Sequence, residues 1–94
     1  MKYDFEKLAE EELERIFEML EKDETLEVTL ADGVLTIKAL NGDYAINKHM
    51  ATEQIWFSSP VSSLKYFVFK DGKFLEKKSL QLTLEEAITI DLKK

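Results

Sequence analysis

Residues 26–47 read LEVTLADGVLTIKALNGDYAIN, and this stretch indicates an antiparallel sheet. At its start the apolar residues Leu26, Val28 and Leu30 alternate with polar ones. Alternation with a period of two is typical of a strand that is buried on one face only. The remainder repeats β-favouring runs separated by turn residues, which predicts successive strands that pair as hairpins.

Tight turns separate the β-favouring runs. Each turn signal is an aspartate or asparagine followed by glycine, a pair suited to the positive φ angles of two-residue hairpin turns. The three signals are Asp32-Gly33, Asn41-Gly42 and Asp71-Gly72. Around them we predict further strands over residues 34–39, 44–47, 54–57, 64–69 and 73–76. The only proline, Pro60, follows the strand at 54–57, where a missing amide donor costs least.

A helix is predicted before the strands. Between Phe5 and Leu20 the apolar residues recur at helical spacing, so one stripe of this helix faces a core. Asp4 is the expected N-cap. Tyr3 precedes it and is placed to pack on Leu8 as a hydrophobic staple.

A second helix is predicted toward the end of the chain. Thr83 and Glu86 match a capping box, although the β-branched residues 88–90 also suit a strand. Helix, strands and helix together predict one α+β domain over residues 1–94. We expect a two-layer α-β sandwich, with both helices on one face of an antiparallel sheet of about five or six strands.

Composition limits the chemistry that the chain can perform. Thirteen basic and 19 acidic residues give a net charge of −6, which disfavours nucleic acid and membranes as partners. No cysteine is present, so the chain offers no thiolate for metal binding or catalysis. No apolar stretch reaches the roughly 18 residues of a membrane span, and no targeting pattern is visible. Without a catalytic triad or a phosphate-binding loop, we expect no conventional active site.

The predicted first helix carries a dense row of carboxylates opposite its apolar stripe. At about 100° per residue, five glutamates fall within about a third of a turn. They are Glu10, Glu11, Glu14, Glu18 and Glu21. Each like-charge pair at i, i+4 costs about 0.2–0.5 kcal/mol of helix stability. The charge continues into the first strand, and the acidic ridge is therefore defined as these five residues with Asp23, Glu24 and Glu27.

Two interpretations of the acidic ridge are open. It is either a solvated helix face or a surface that attracts cations, since divalent ions accept carboxylate and water oxygens. A convex helix cannot wrap an ion, so any site there would be open, hydrated, weak and shared between carboxylates. The spacing matches neither an EF-hand nor a di-iron motif.

An exposed tryptophan is predicted on the fourth strand. Strand alternation places Trp56 on the outer face of the sheet with Gln54, and we expect the preceding strand's Asn47 and Lys48 beside them. A lone tryptophan is more often a core residue, but an indole among amides is typical of a protein-binding hot spot. His49 is expected to lie in a surface loop rather than to bind metal.

Several motifs, in this order along the chain, resemble the signature of the frataxin family. LAEE at residues 8–11 and DGVLT at residues 32–36 are similar to the family's opening segments. NG at residues 41–42 is followed by YAINK at 44–48 and QIWFSSP at 54–60, and these elements are the more specific ones. The resemblance covers nearly the whole chain.

The resemblance implies an accessory role in iron-sulfur cluster assembly, exercised with a cysteine desulfurase and a scaffold protein. It implies weak binding of iron as Fe²⁺, and of Fe³⁺ as a further candidate, by a monomer that can form oligomers with iron. The family's metal residues correspond to Glu10, Glu11, Glu18, Glu21 and Glu27, with Glu14, Asp23 and Glu24 added by position. Its partner-binding residues correspond to Asn47, Lys48, Gln54 and Trp56.

Three functions fit this sequence. The first is the iron-binding accessory protein, and the second is an acidic interaction module that steers basic partners, with iron binding incidental. The third is a ferroxidase or iron-storage protein, for which the ridge offers no dinuclear geometry. The Asn-Lys and Ser-Ser-Pro elements resemble mitochondrial members, which implies a mitochondrial matrix or derived organelle, with bacterial cytoplasm as the alternative.

Overall fold

A computed structural model describes residues 4–94 of the chain, so the proposed staple residue Tyr3 lies outside the described residues. The elements are α1 (Phe5–Leu20), β1 (Glu27–Ala31), β2 (Val34–Ala39), β3 (Gly42–His49), β4 (Gln54–Ser59), β5 (Ser63–Lys70), β6 (Lys73–Glu76) and α2 (Leu84–Leu92). The six strands form one antiparallel sheet in chain order. Both helices contribute to one core on one face of this sheet, which confirms the predicted α+β sandwich.

The core is the layer between the helices and the sheet. The apolar stripe of α1 is buried at Phe5, Ala9, Leu13, Ile16 and Leu20. Alternate residues of the central strands meet it, including Leu35, Ile37, Tyr44, Ile46, Ile55, Phe57 and Phe67. Burying one such side chain contributes about 1.5–3 kcal/mol. This layer therefore outweighs the repulsion between carboxylates on the opposite side of α1, about 0.2–0.5 kcal/mol per pair.

Both helices begin at the predicted caps. The Asp4 carboxylate accepts a hydrogen bond of 3.2 Å from the Lys7 amide in the first turn of α1. Thr83 and Glu86 bond reciprocally at 3.1 and 2.9 Å, which completes the capping box of α2. The β-branched segment around Ile88 is helical, because this cap and the burial of Ile88 outweigh its β propensity. No helix within residues 4–94 is long and apolar enough to cross a bilayer.

The predicted turns differ in outcome. Positive φ angles occur at both residues of Asp32-Gly33 and of Asp71-Gly72. The predicted Asn41-Gly42 turn is wrong by one residue, because Gly42 already pairs with Ala39 in the sheet. Gly42 has a φ of +134°, and a Cβ there would lie 2.7 Å from Cγ of Pro60. Glycine is therefore required at position 42, because the backbone there lies close to Pro60 in the turn between β4 and β5.

A buried polar network fastens the end of α2 to the sheet. Asp91 is only 5% exposed, and its carboxylate accepts hydrogen bonds from the hydroxyls of Ser59 at 2.7 Å and Ser62 at 2.5 Å. Its backbone carbonyl accepts from the Tyr44 hydroxyl at 3.1 Å and the Asn41 amide at 2.9 Å. These five residues are the Asp91 network. Asp91 is the only buried charged residue among residues 4–94.

Candidate functional site

The acidic ridge is exposed along its whole length. All eight of its residues are exposed to solvent. Glu10 and Glu14 border a shallow recess of about 340 Å³ between α1 and the β1–β2 hairpin. No three carboxylate or imidazole groups in residues 4–94 converge closely enough to hold one metal ion. The ridge can thus attract cations through its summed charge, with water completing their coordination.

The strand-borne end of the ridge is separated from the helix. Val28 packs against the core, so its neighbour Glu27 points to the outer face of the sheet. Glu27 lies opposite Lys38 in the β1–β2 register. The structure therefore groups Glu10, Glu11, Glu14 and Glu18 of α1 with the C-cap residue Glu21, but it does not bring Glu27 beside them.

The carboxylate of Asp23 is already hydrogen-bonded to a neighbouring residue. Its carboxylate accepts hydrogen bonds from the Thr25 hydroxyl at 2.6 Å and the Thr25 amide at 2.9 Å. These bonds lower the pKa of the Asp23 carboxyl. The Asp23 carbonyl also accepts from the Leu26 amide at 3.1 Å. Asp23 therefore shapes the connection into β1 and has fewer lone pairs left for a cation than the α1 glutamates.

Lys48 lies on the helix side of the sheet, not beside Trp56 as expected. It pairs with the buried Ile55, and strand alternation puts consecutive residues on opposite faces. Its side chain is 14% exposed, and its ammonium forms ion pairs with Glu10 and, at 3.2 Å, with Glu6. Hydrogen bonding to Glu10 and then to Glu6 raises the pKa of Lys48. Lys48 thus neutralises one end of the acidic ridge.

The remainder of the ridge has no cationic partner among the residues that the structure describes. Arg15 on α1 bonds Glu12 on the same helix at 2.9 Å and Glu85 on α2 at 2.7 Å. These bonds raise the pKa of the Arg15 guanidinium. Within residues 4–94, no Lys, Arg or His side chain pairs with Glu11, Glu14, Glu18, Glu21, Glu24 or Glu27. Their charge is available to a ligand or to a partner.

The second candidate surface surrounds Trp56 on the outer face of the sheet. Asn47 and Tyr66 are the cross-strand neighbours of Trp56, so the predicted position beside Asn47 is confirmed. The indole stacks on the His49 ring with centroids 4.1 Å apart, and it meets Tyr66 edge-on at 5.4 Å. Its Nε1 donates a hydrogen bond of 3.2 Å to Gln54. Three rings and two amides thus form one half-exposed surface.

Sequence reasoning missed two members of this surface, His49 and Tyr66. The expectation of a loop residue is wrong, because β3 continues through His49, two residues beyond its predicted end. The imidazole Nδ1 lies 2.8 Å from the Thr52 hydroxyl, which holds the ring against Trp56. Strand alternation could have predicted the position of His49, because residues 47 and 49 of one strand lie on the same face.

A family model and several solved structures match this chain, and all of them are frataxins. A family model described as a frataxin-like domain matches residues 1–94. A trimeric frataxin from Saccharomyces cerevisiae in a ferrous complex is 24% identical, with a TM-score of 0.78 over 100% of this chain and 90% of that chain. Another yeast frataxin is 27% identical, with a TM-score of 0.77 over 96% and 78%. Frataxin from Psychromonas ingrahamii is 21% identical, with a TM-score of 0.71 over 80% and 72%.

Proposed function

Because the chain belongs to the frataxin family, we propose that it binds Fe²⁺ weakly on the acidic ridge and serves iron-sulfur cluster assembly as an accessory protein. Family membership supports an iron-related role. The observation that carries the proposal is the set of ridge carboxylates without a cationic partner in residues 4–94. These carboxylates repel one another and lower the stability of α1, so their presence is better explained by a ligand or partner than by the fold.

The geometry of α1 determines how iron would be held. Glutamates three or four residues apart have Cβ atoms roughly 5–6 Å apart, so neighbouring pairs can share one hydrated ion. Glu14, Glu18 and Glu21 provide two such pairs along one line of the helix. Several waters must stay on the ion, because a convex surface cannot surround it. Binding is then weak and exchangeable, which suits delivery of iron as cargo rather than its storage.

The Trp56 surface is the proposed contact for the scaffold protein. A half-exposed indole with ordered neighbours presents a large rigid area at little entropic cost, as hot-spot residues do. Asn47 and Gln54 add polar groups at its rim. Trp56→Ala should weaken scaffold binding and leave the melting temperature nearly unchanged. A loss of many degrees with unchanged binding would instead make Trp56 a structural residue.

The second candidate function is an interaction module in which the ridge steers a basic desulfurase surface. One observation favours it: no three ridge carboxylates within residues 4–94 converge on a common ion position. Exposed, unpaired charge accelerates the encounter with an oppositely charged partner without needing such convergence. In this function iron binding is incidental.

One experiment separates the two functions. Cysteine desulfurase activity on the scaffold complex is measured with and without Fe²⁺, in otherwise metal-free buffer, for the native chain and for a ridge variant carrying Glu14→Gln, Glu18→Gln and Glu21→Gln. The iron function predicts a modulation that appears with Fe²⁺ and is lost in the variant. The interaction module predicts a modulation that needs no Fe²⁺ and is also lost. Equal modulation by both proteins contradicts both proposals.

A matched control has the same change of charge away from the ridge. Asp43→Asn, Glu53→Gln and Asp71→Asn together remove three exposed carboxylates from the strands and turns of the sheet. This control variant should modulate the desulfurase as the native chain does. If it fails in the same way, net charge rather than the ridge is responsible.

A further inference from the structure

The strand β5 extends beyond its neighbour β6 and leaves an open edge. β5 has eight residues and β6 has four, and β6 pairs only with residues 67–70. The Lys77 amide then donates one more hydrogen bond, of 2.8 Å, to the Tyr66 carbonyl. Past that bond, no strand of the described chain pairs with residues 63–65 on that side.

This opening is built into the fold by a tight turn after β6. The Leu80 amide donates to the Glu76 carbonyl at 2.8 Å, and Leu80 has a φ of +54°. The Glu76 carboxylate accepts a hydrogen bond of 3.0 Å from the Ser79 hydroxyl. The chain then doubles back, so that the Glu76 amide donates to the Leu82 carbonyl at 2.8 Å. β6 therefore ends here and cannot cover residues 63–65.

Backbone groups of Leu64 face the open edge. In an antiparallel strand, every second residue directs its N–H and C=O to the same side. The carbonyl of Tyr66 points to the β6 side, since it accepts from Lys77. Leu64, two residues earlier, therefore presents its amide and carbonyl to the same side, beyond the reach of β6.

Apolar and cationic side chains surround this edge. A groove of about 380 Å³ is lined by Leu64, Lys65, Tyr66, Glu76, Lys77 and Lys78. Leu64 is 45% exposed and Tyr66 is 37% exposed, so the groove presents two large, adjacent side chains with apolar surface to solvent. Although the chain is acidic overall, the described residues that line this groove include three lysines and one carboxylate. The one carboxylate in the groove, Glu76, is already bonded to Ser79.

We propose that this groove, the lysine-flanked edge of β5, binds an extended acidic segment of a partner protein. The segment adds as a strand along residues 63–65, where backbone hydrogen bonds supply affinity and alternate side chains supply specificity. Leu64 and Tyr66 lie on the outer face and Lys65 lies on the helix side. A matching segment therefore alternates apolar residues with carboxylates. This proposal is independent of iron binding and gives the molecule a cationic docking surface in addition to its acidic ridge.

A peptide partner fits this surface better than a nucleic acid. A polyanion gains only from the lysines, and the net charge of −6 opposes its approach. A peptide also gains from the open backbone groups of Leu64 and from the apolar surface of Tyr66. The combination of strand edge, apolar side chains and lysines therefore favours the acidic peptide.

The test uses a capped nine-residue peptide that alternates glutamate with valine. It is titrated into the ¹⁵N-labelled full chain, with amide shifts and hydrogen exchange as readouts. Shift changes should concentrate at residues 63–66 and 77–78, and exchange of the Leu64 amide should slow. Changes confined to the acidic ridge, or an equal response to a peptide that alternates lysine with valine, would overturn the proposal. So would tighter binding of a thymidine oligonucleotide at the same amides.

Two charge variants make the test specific. Lys65→Glu, Lys77→Glu and Lys78→Glu together should weaken binding of the acidic peptide by about tenfold or more, because like charges then face each other. The matched control, Lys38→Glu with Lys93→Glu and Lys94→Glu, has the same net charge and should change binding by about twofold or less. Circular dichroism verifies that both variants are folded. If either variant does not fold, the amide shifts of the native chain still test the proposal. Equal losses in the two variants would reject the groove as the binding site.

Discussion

The Asp91 network and the acidic ridge use the same chemical group in opposite ways. Asp91 is a single buried carboxylate whose hydrogen bonds all go to hydroxyls of the fold. The ridge contains eight exposed acidic residues, and within residues 4–94 only Glu10 has a cationic partner, so the other seven have none. A carboxylate with internal donors stabilises the structure, whereas a row of carboxylates without them weakens its own helix and stays available to a ligand.

The largest effect is expected from Asp91. Asp91→Ala leaves the buried Ser59 hydroxyl and the partly buried Ser62 hydroxyl without their acceptor, so the free energy of unfolding should fall by about 2–4 kcal/mol. Urea unfolding followed by circular dichroism measures the loss. The exposed Asp43, changed to alanine as a control, should alter stability by no more than about 0.5 kcal/mol. A similar small change for Asp91→Ala would show that the network contributes nothing.

The glycine beside this network should be the next most sensitive position. Gly42→Ala introduces a Cβ 2.7 Å from Cγ of Pro60 at a φ of +134°, and should cost about 2–3 kcal/mol. Gly72→Ala also has a positive φ, of +80°, but its Cβ would meet nothing within 4 Å. It should cost about 1 kcal/mol. Equal unfolding midpoints for the two variants would contradict the proposed contact between neighbouring turns.

Lys48 tests the neutralised end of the ridge. Lys48→Met removes the ammonium between Glu6 and Glu10, and should lower stability by about 1 kcal/mol or less. Loss of a positive charge beside Glu10 should also tighten cation binding there by about fivefold or less, as Coulomb's law in water predicts. Broadening of the Glu10 amide resonance by Mn²⁺ measures that change. Weaker broadening than in the native chain would mean that Lys48 assists cations instead of competing with them.

The open part of the ridge should give the smallest and opposite change in stability. Replacing Glu14, Glu18 and Glu21 with glutamine removes like-charge pairs and anions near the C-terminus of α1. The free energy of unfolding should rise by about 0.5 kcal/mol at low salt, and the gain should shrink near 1 M salt as screening increases. Thermal unfolding at the two salt concentrations checks this. A loss of stability would show that these glutamates have internal partners.

Much of the fold follows from local sequence patterns. The bounds of α1 could be predicted because its apolar stripe spans the whole helix and Asp4 caps it. The strand order follows from short turns, which leave consecutive strands no choice but to pair with each other. Gly42 was wrongly assigned to a turn because the need for glycine there comes from a distant part of the chain. Pro60, eighteen positions later, occupies the space that a side chain at position 42 would fill.

The candidate site was less predictable where it depends on contacts between distant residues. The acidic ridge could be read from helical periodicity, but the pairing of Lys48 with Glu10 depends on how α1 packs on β3. Both the strand prediction and the family resemblance grouped Lys48 with Asn47, whereas strand alternation puts these consecutive residues on opposite faces. The stacking of His49 on Trp56 depends on the length of β3, which the sequence pattern placed two residues short.

The most direct test of the proposed iron function is an anaerobic calorimetric titration with Fe²⁺. Three proteins are compared: the native chain, the Glu14, Glu18 and Glu21 glutamine variant, and the Asp43, Glu53 and Asp71 amide control. We predict weak binding by the native chain and by the control, and a loss of affinity of about tenfold or more in the ridge variant. Binding of Fe²⁺ that is unchanged in the ridge variant would contradict the account.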